Sequence, residues 1–397
     1  MIFIALKMLL GDRTKYAGLL FGITFTSFLV TFAASYFGGM MTRSFALIAE
    51  NPSADVWVMD PAVVAVDRPF NLPTSALNQV RSVEGVRSAV PLALAQADAR
   101  FPNGRFQSLQ VIGVDDATLT GVPRMNDGST AALLRAPDAV IVDEGGTSGK
   151  LETPLSKTDQ WPHGKPHLNV PTRPLIAGDE LLINDTRVRV AGQSKALPRF
   201  PPRPLLFTTY STAERILLPE RRRLTFVLVT AAPGVAARTL ATRIEAATDF
   251  RARAADDFKE DTVRWMLVNS EDVGDAVTML SIALIVGFGV TGVMMFMFTN
   301  ENLKYYAVLN AMGATTRLLL TMICAQAALC ALIGTGLGLG LCAIAGRVFA
   351  AHDFPYRMMW FAPAVGGTAV VLVSVGAALF SSRPILKMQP ASFLAGR

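Results

Sequence analysis

The chain has 397 residues, of which 51% are hydrophobic and 17% charged. That is too apolar for one soluble core of this size, and the apolar residues are clustered rather than spread. The formal net charge of +6 does not point to nucleic acid, because many of the basic residues flank apolar runs.

Four runs carry no charged side chain for about 25 residues or more: 17–41, 276–300, 318–346 and 358–382. A helix needs roughly 20 residues to cross the hydrocarbon layer, whereas buried helices of soluble proteins give runs of roughly 10–14. Four transmembrane helices are therefore expected. The first run is too long for a signal-peptide core, so it is read as a retained anchor. Lys7, Arg13, Lys15, Lys304, Arg317, Arg383, Lys387 and Arg397 fall on one side if the spans alternate, with Arg347 and Arg357 opposite. That bias puts both termini in the cytoplasm. Trp265 and Trp360 stand near the outer ends of spans two and four, as interfacial anchors do.

In chain order, residues 1–16 are expected as a cytoplasmic interfacial helix or as a simple extension of the first span, which covers 17–41. An external domain follows over 42–272. Within it, strands at 54–59 and 86–99 flank a helix at 74–83, and strands at 224–230 and 250–254 flank a helix at 234–247. These two units, 53–104 and 221–255, suggest one split α/β subdomain. Short strands at 107–114, 139–143, 180–183, 187–191 and 205–209 suggest a β-rich subdomain inserted over 105–220. Residues 144–178 have no apolar period and read as a long loop. A helical stalk over 256–272 leads to span two at 273–300.

Residues 301–317 then form a short cytoplasmic segment, ENLKYYAVLNAMGATTR. Tyr305, Val308, Leu309 and Met312 share one helical face by spacing, and Gly313 sits where a C-cap favours positive φ. So short a helix needs a partner surface for its stripe. Span three covers 318–346, a short outer loop 347–357, span four 358–382 and a cytoplasmic tail 383–397. Gly287, Gly289, Gly292, Gly334 and Gly338 read as helix-packing positions, since small residues let helices approach in lipid. Cys324, Cys330 and Cys342 all lie in span three without metal or redox spacing.

Catalytic constellations are weak. No charged or histidine side chain lies within the four charge-free runs, which argues against an ion-coupled transporter. Gln326 is the clearest polar amide there and reads as a helix–helix hydrogen bond. Residues 145–150, GGTSGK, fail the phosphate-loop spacing because Glu144 and Leu151 stand at the required positions. His163 and His167 are separated by Gly164 and Pro166, which forbid a shared helical face for a metal. Arg221 to Arg223 read as a solvated turn. No catalytic, cofactor or metal site is expected.

The order of these parts resembles the MacB/FtsX-type permeases of ABC transporters, and most closely their DevC-like branch. The stretch from Tyr306 to Ala314, YAVLNAMGA, is similar to that family's segment after span two, with Asn310 where a basic residue is usual. Residues 384–394, PILKMQPASFL, resemble its tail, and VIGVD (111–115) and AGDE (177–180) its external segments. The resemblance implies a four-helix membrane protein with a large periplasmic α+β domain between helices one and two, in a bacterial inner membrane. It implies a homodimer bound to two ATPase subunits that hold the ATP, a membrane-fusion protein and an outer-membrane channel. Glu301, Lys304, Tyr305, Val308, Leu309, Met312 and Gly313 would couple to the ATPase, and motion would pass to the periplasmic domain by mechanotransmission, driving export. One alternative is a non-transporting regulator that couples an ATPase to an external hydrolase. Another is a receptor without an ATPase, whose short helix is merely interfacial.

Overall fold

The computed structural model describes residues 7–382 apart from 10, 12, 127–129, 144–149, 157–160, 162, 219–223 and 353. Residues 1–6, the GGTSG of the rejected phosphate loop, Arg221 to Arg223 and the 383–397 tail lie outside the described residues. The chain divides into a helical unit, Met1–Met40 with Glu271–Arg397, and a sheet unit, Met41–Ser270.

The helical unit contains α1 (Arg13–Ser44), which runs on into the start of the sheet unit. In the sheet unit follow α2 (Ala46–Glu50), β1 (Val56–Met59), α3 (Ala76–Arg81), β2 (Val86–Arg100) and β3 (Phe106–Val114). Next come β4 (Ala139–Asp143), β5 (Glu152–Pro154), β6 (Thr172–Pro174), β7 (Glu180–Ile183), β8 (Thr186–Ser194) and β9 (Leu205–Thr209). The unit ends with α4 (Tyr210–Ile216), β10 (Phe226–Ala231), α5 (Ala237–Ala247), β11 (Arg251–Ala254) and α6 (Ala255–Asn269). The helical unit resumes with α7 (Glu271–Glu301), α8 (Leu303–Ala311), α9 (Thr316–Ala350) and α10 (Phe361–Ser381). Among the described residues, α1, α7, α9 and α10 are long and apolar enough to cross a membrane.

Nine strands of the sheet unit form one sheet in the order β11-β1-β10-β2-β3-β9-β4-β8-β7. β2 is its spine. Its first half pairs antiparallel with β10, Leu92 opposite Phe226, and its second half with β3, Ala93 opposite Gly113. At its far end Ala99 also pairs with Ile183 of β7, so β2, β3, β9, β4, β8 and β7 close on themselves. Closure removes two open edges at once.

Alternation along the strands feeds three cores. Trp57 and Met59 of β1, Phe226 and Leu228 of β10, and Ile112, Ile141 and Phe207 join one core with Phe258 of α6. On the opposite face Val56, Val58, Val227 and Val229 meet Ala76 and Val80 of α3 and Leu240 and Ile244 of α5. In the closed half, Leu109, Val111, Val140, Val142 and Leu206 meet Ala213 and Ile216 of α4. Strands buried on both faces read as continuous apolar runs, which is why VWVM at β1 shows no polar alternation. Gly113 of β3 lets α4 close on the sheet, since a Cβ there would stand 2.6 Å from that of Ala213.

The sequence does not announce α4, β5 or β6. The pair β5–β6, Thr153 opposite Arg173, lies inside the stretch read as a loop. The stalk also departs from expectation: α6 ends at Asn269, and α7 begins afresh at Glu271.

Within the helical unit α1 is the hub. Gly334 of α9 faces Ile23, where a Cβ would come within 2.6 Å, and Gly338 faces Ser27, at 2.5 Å. Gly287 of α7 abuts Thr26, whose hydroxyl lies 3.2 Å from the Gly287 carbonyl oxygen and 3.2 Å from the Thr291 hydroxyl. Small residues at these crossings permit close van der Waals contact where lipid offers no hydrophobic drive. Gly289 and Gly292, expected as packing positions, have no neighbour among the described residues within 4 Å of where a Cβ would stand, so no close approach there requires glycine.

Candidate coupling site on the short helix

α7 stops at Glu301 because Asn302 breaks the helix. The Asn302 side-chain amide donates to the Phe298 carbonyl at 2.8 Å, capping α7, while its own carbonyl accepts from Tyr305 at 3.0 Å and starts α8. The far end closes by a Schellman arrangement. Gly313 takes φ +98, its amide donates to the Asn310 carbonyl at 3.0 Å, and the Ala314 amide to that of Leu309 at 3.0 Å. Leu309 and Ala314 share one apolar cluster, as that motif favours. The space around Gly313 is open, so its requirement is the positive φ and not a close approach.

Two faces of α8 then part company. Tyr306 is fully buried, Ala307 and Leu309 are nearly so, and Tyr306 and Leu309 pack with Leu19, Phe298, Leu319 and Met322. The Tyr306 hydroxyl donates to Oε1 of Gln326 on α9 at 3.1 Å, between two side chains with no solvent exposure. Burial pushes the Tyr306 phenol up to about 12, so it stays a neutral donor. On the other side Tyr305, Val308 and Met312 are 62%, 48% and 71% exposed, with Lys304 and Glu301 also at the surface.

This corrects the single stripe read from spacing. Leu309 faces inward and does not share the exposed face of Tyr305, Val308 and Met312, because the bundle covers the Tyr306–Leu309 side. Tyr306 is the anchor that spacing missed. Its signal was the Gln326 amide, which needs a partner in an apolar span.

The remaining candidates do not assemble. His163 and His167 are both exposed, and the His167 amide is tied to the Asn103 carbonyl at 2.8 Å. Among the described residues no three His, Cys, Asp or Glu side chains cluster as metal ligands.

One charged group in the sheet unit is buried with a specific partner. Arg199 and Glu50 are 9% and 6% exposed and form an ion pair, with the Leu197 amide also donating to Glu50. Burial pulls the Arg199 guanidinium below its ordinary value, against the opposing pull of Glu50. Its Nε and Nη1 have no hydrogen-bond partner among the described residues.

Residues 277–390 match the FtsX-like permease C-terminal family. No curated protein sequence matches the chain. Among solved structures, the extracellular domain of the noncanonic ABC-type transporter YknZ from Gram-positive bacteria is 14% identical. The similarity covers 50% of this chain and 98% of that one, with a TM-score of 0.34. The periplasmic region of MacB from Actinobacillus actinomycetemcomitans is 14% identical over 53% of this chain and 92% of that one, with a TM-score of 0.35. A domain of a putative permease protein from Porphyromonas gingivalis is 14% identical over 50% and 82%, with a TM-score of 0.30. The family match begins within α7 and takes in the short helix α8, α9 and α10, the part of the chain that holds the candidate site.

Proposed function

We propose that this chain is the permease subunit of a DevC-like ATP-driven exporter. Two copies of the chain would pair with two copies of a separate ATPase, which holds the ATP, in a bacterial inner membrane with both termini cytoplasmic. A membrane-fusion protein and an outer-membrane channel would complete the path. ATP-driven motion would enter at α8, pass along the spans and move the sheet unit by mechanotransmission.

The observation that carries this reading is the division of α8. One face is pinned to the bundle by Tyr306 and Leu309, while Tyr305, Val308 and Met312 leave an apolar ridge in a position to seat in a groove. Helix-in-groove contacts use anchors at this spacing. Because the buried face ties α8 to α7 and α9, a push on the ridge reaches the spans without first melting the helix. Of the residues expected to couple, Leu309 holds the helix in place and Gly313 ends it.

A photo-crosslinking side chain placed at Met312 in the native host tests the reading. The expected product joins this chain to a subunit whose peptides contain nucleotide-binding motifs. Crosslinks confined to lipid would reject ATPase docking at α8.

A further inference from the structure

Both chain connections of the sheet unit are tied to membrane-spanning helices. Arg43 and Ser44 end α1, and Val268 lies three residues before α7, a reach of at most about 11 Å. The surface around these points has a composition that water alone does not explain. Val268 is 79% exposed, Leu267 45% and Phe70 53%. Trp265 is half-buried beneath Arg68, whose guanidinium carbon stands 5.2 Å from the ring centroid. The segment bearing Phe70 is fastened to α6, since the Val66 amide donates to the Thr262 hydroxyl at 3.3 Å.

That same segment lines a cavity. Val66 and Asp67 form one wall, with Arg43, Gln110, Arg199 and Arg203 among the others. Three guanidinium groups and one carboxylate border the space. Glu50 neutralises Arg199 through a single nitrogen, and the two remaining buried nitrogens have no hydrogen-bond partner among the described residues. Buried N–H groups are normally satisfied by protein, water or an ion, and guanidinium is the group suited to phosphate.

We propose that this base of the sheet unit binds the phosphate of an anionic phospholipid headgroup in the leaflet it meets. Arg43 and Arg203 receive the phosphate over Arg199, while Phe70, Leu267 and Val268 enter the headgroup–acyl boundary. A lipid is favoured over a soluble anion because the cavity and the apolar shoulder share one segment, 66–70, and both connect to spans within a few residues. Trp265 and Arg68 suit that depth, where amphipathic side chains place a ring in the boundary and a charge in water. The proposal does not depend on ATPase docking at α8.

Native mass spectrometry of the full chain in nonionic detergent, with phosphatidylglycerol or phosphatidylcholine added, tests it. The reporting variant is Arg43→Gln with Arg203→Gln, which leaves the Arg199–Glu50 pair in place; Arg203→Gln alone serves if the double variant melts early. The expected result is retention of phosphatidylglycerol about tenfold weaker than in the unaltered chain, the scale of one charge-assisted hydrogen bond. The unaltered chain should retain phosphatidylcholine less than phosphatidylglycerol, because its choline cation would face the guanidinium groups, and the melting temperature of the variant should not change. Equal phosphatidylglycerol retention in variant and unaltered chain would overturn the proposal. Displacement of the lipid by millimolar inorganic phosphate would overturn it too, by assigning the cavity to a free anion.

Discussion

In the sheet unit, neighbours along a strand go to different cores: Trp57 and Met59 to one face of β1, Val56 and Val58 to the other. In the helical unit, the closest contacts are made by residues with almost no side chain. Gly287, Gly334 and Gly338 receive Thr26, Ile23 and Ser27 of α1. Water drives the first arrangement, where each large apolar side chain buried is worth roughly 1.5–3 kcal/mol. Lipid removes that drive, so the bundle depends on shape and on buried hydroxyls such as Thr26 and Thr299, the latter bonded to Ser381 at 3.2 Å. The difference teaches which substitutions each unit will feel: loss of bulk in the sheet, gain of bulk in the bundle.

The largest expected effect is therefore a truncation in the sheet unit. Trp57→Ala removes a fully buried ring packed 5.4 Å from Phe226 and 5.9 Å from Phe258, and should cost about 3–5 kcal/mol. Limited proteolysis should show the sheet unit cut first while the spans stay protected. The reverse substitution sharpens the contrast in the bundle. Gly338→Leu should destabilise it by about 1–3 kcal/mol, because a Cβ there would stand 2.5 Å from that of Ser27. Gly289→Leu, with open space around it, should leave the melting temperature in detergent unchanged. Smaller again is Tyr306→Phe. It keeps the buried ring but removes the hydroxyl that donates to Gln326 Oε1, at a cost of about 1–2 kcal/mol, seen as a lower melting temperature.

Local periodicity was enough to place most elements. The strands at 139–143, 180–183 and 205–209 stand where their short apolar runs put them, and each of the four charge-free runs became a span helix. What stayed hidden depends on distant partners. The pairing of Ala99 with Ile183 joins segments that share no local signal. The β5–β6 pair has three residues a strand and a proline in each, below what alternation can reveal. α4 had a readable start in Thr209, whose hydroxyl accepts from the Thr212 amide at 3.3 Å, but its seven residues are too few to show a period. The segment at 301–317 was legible as a helix ending at Gly313 and illegible as to which side was covered. Spacing groups Leu309 with Val308 and Met312, and only distant partners, Leu19 of α1 and Leu319, Met322 and Gln326 of α9 among them, decide that Leu309 and Tyr306 turn inward.

The central claim is that α8 divides its labour between a buried anchor and an exposed docking ridge. Val308→Asp tests it most directly, by co-purification of the full chain with its ATPase alongside a melting curve in detergent. Val308 is 48% exposed, so the carboxylate can stay in water and the melting temperature should hold. The account predicts that ATPase recovery then falls by tenfold or more, since a charge would sit in an apolar groove (about 1.4 kcal/mol per tenfold). Undiminished recovery with Val308→Asp would contradict it.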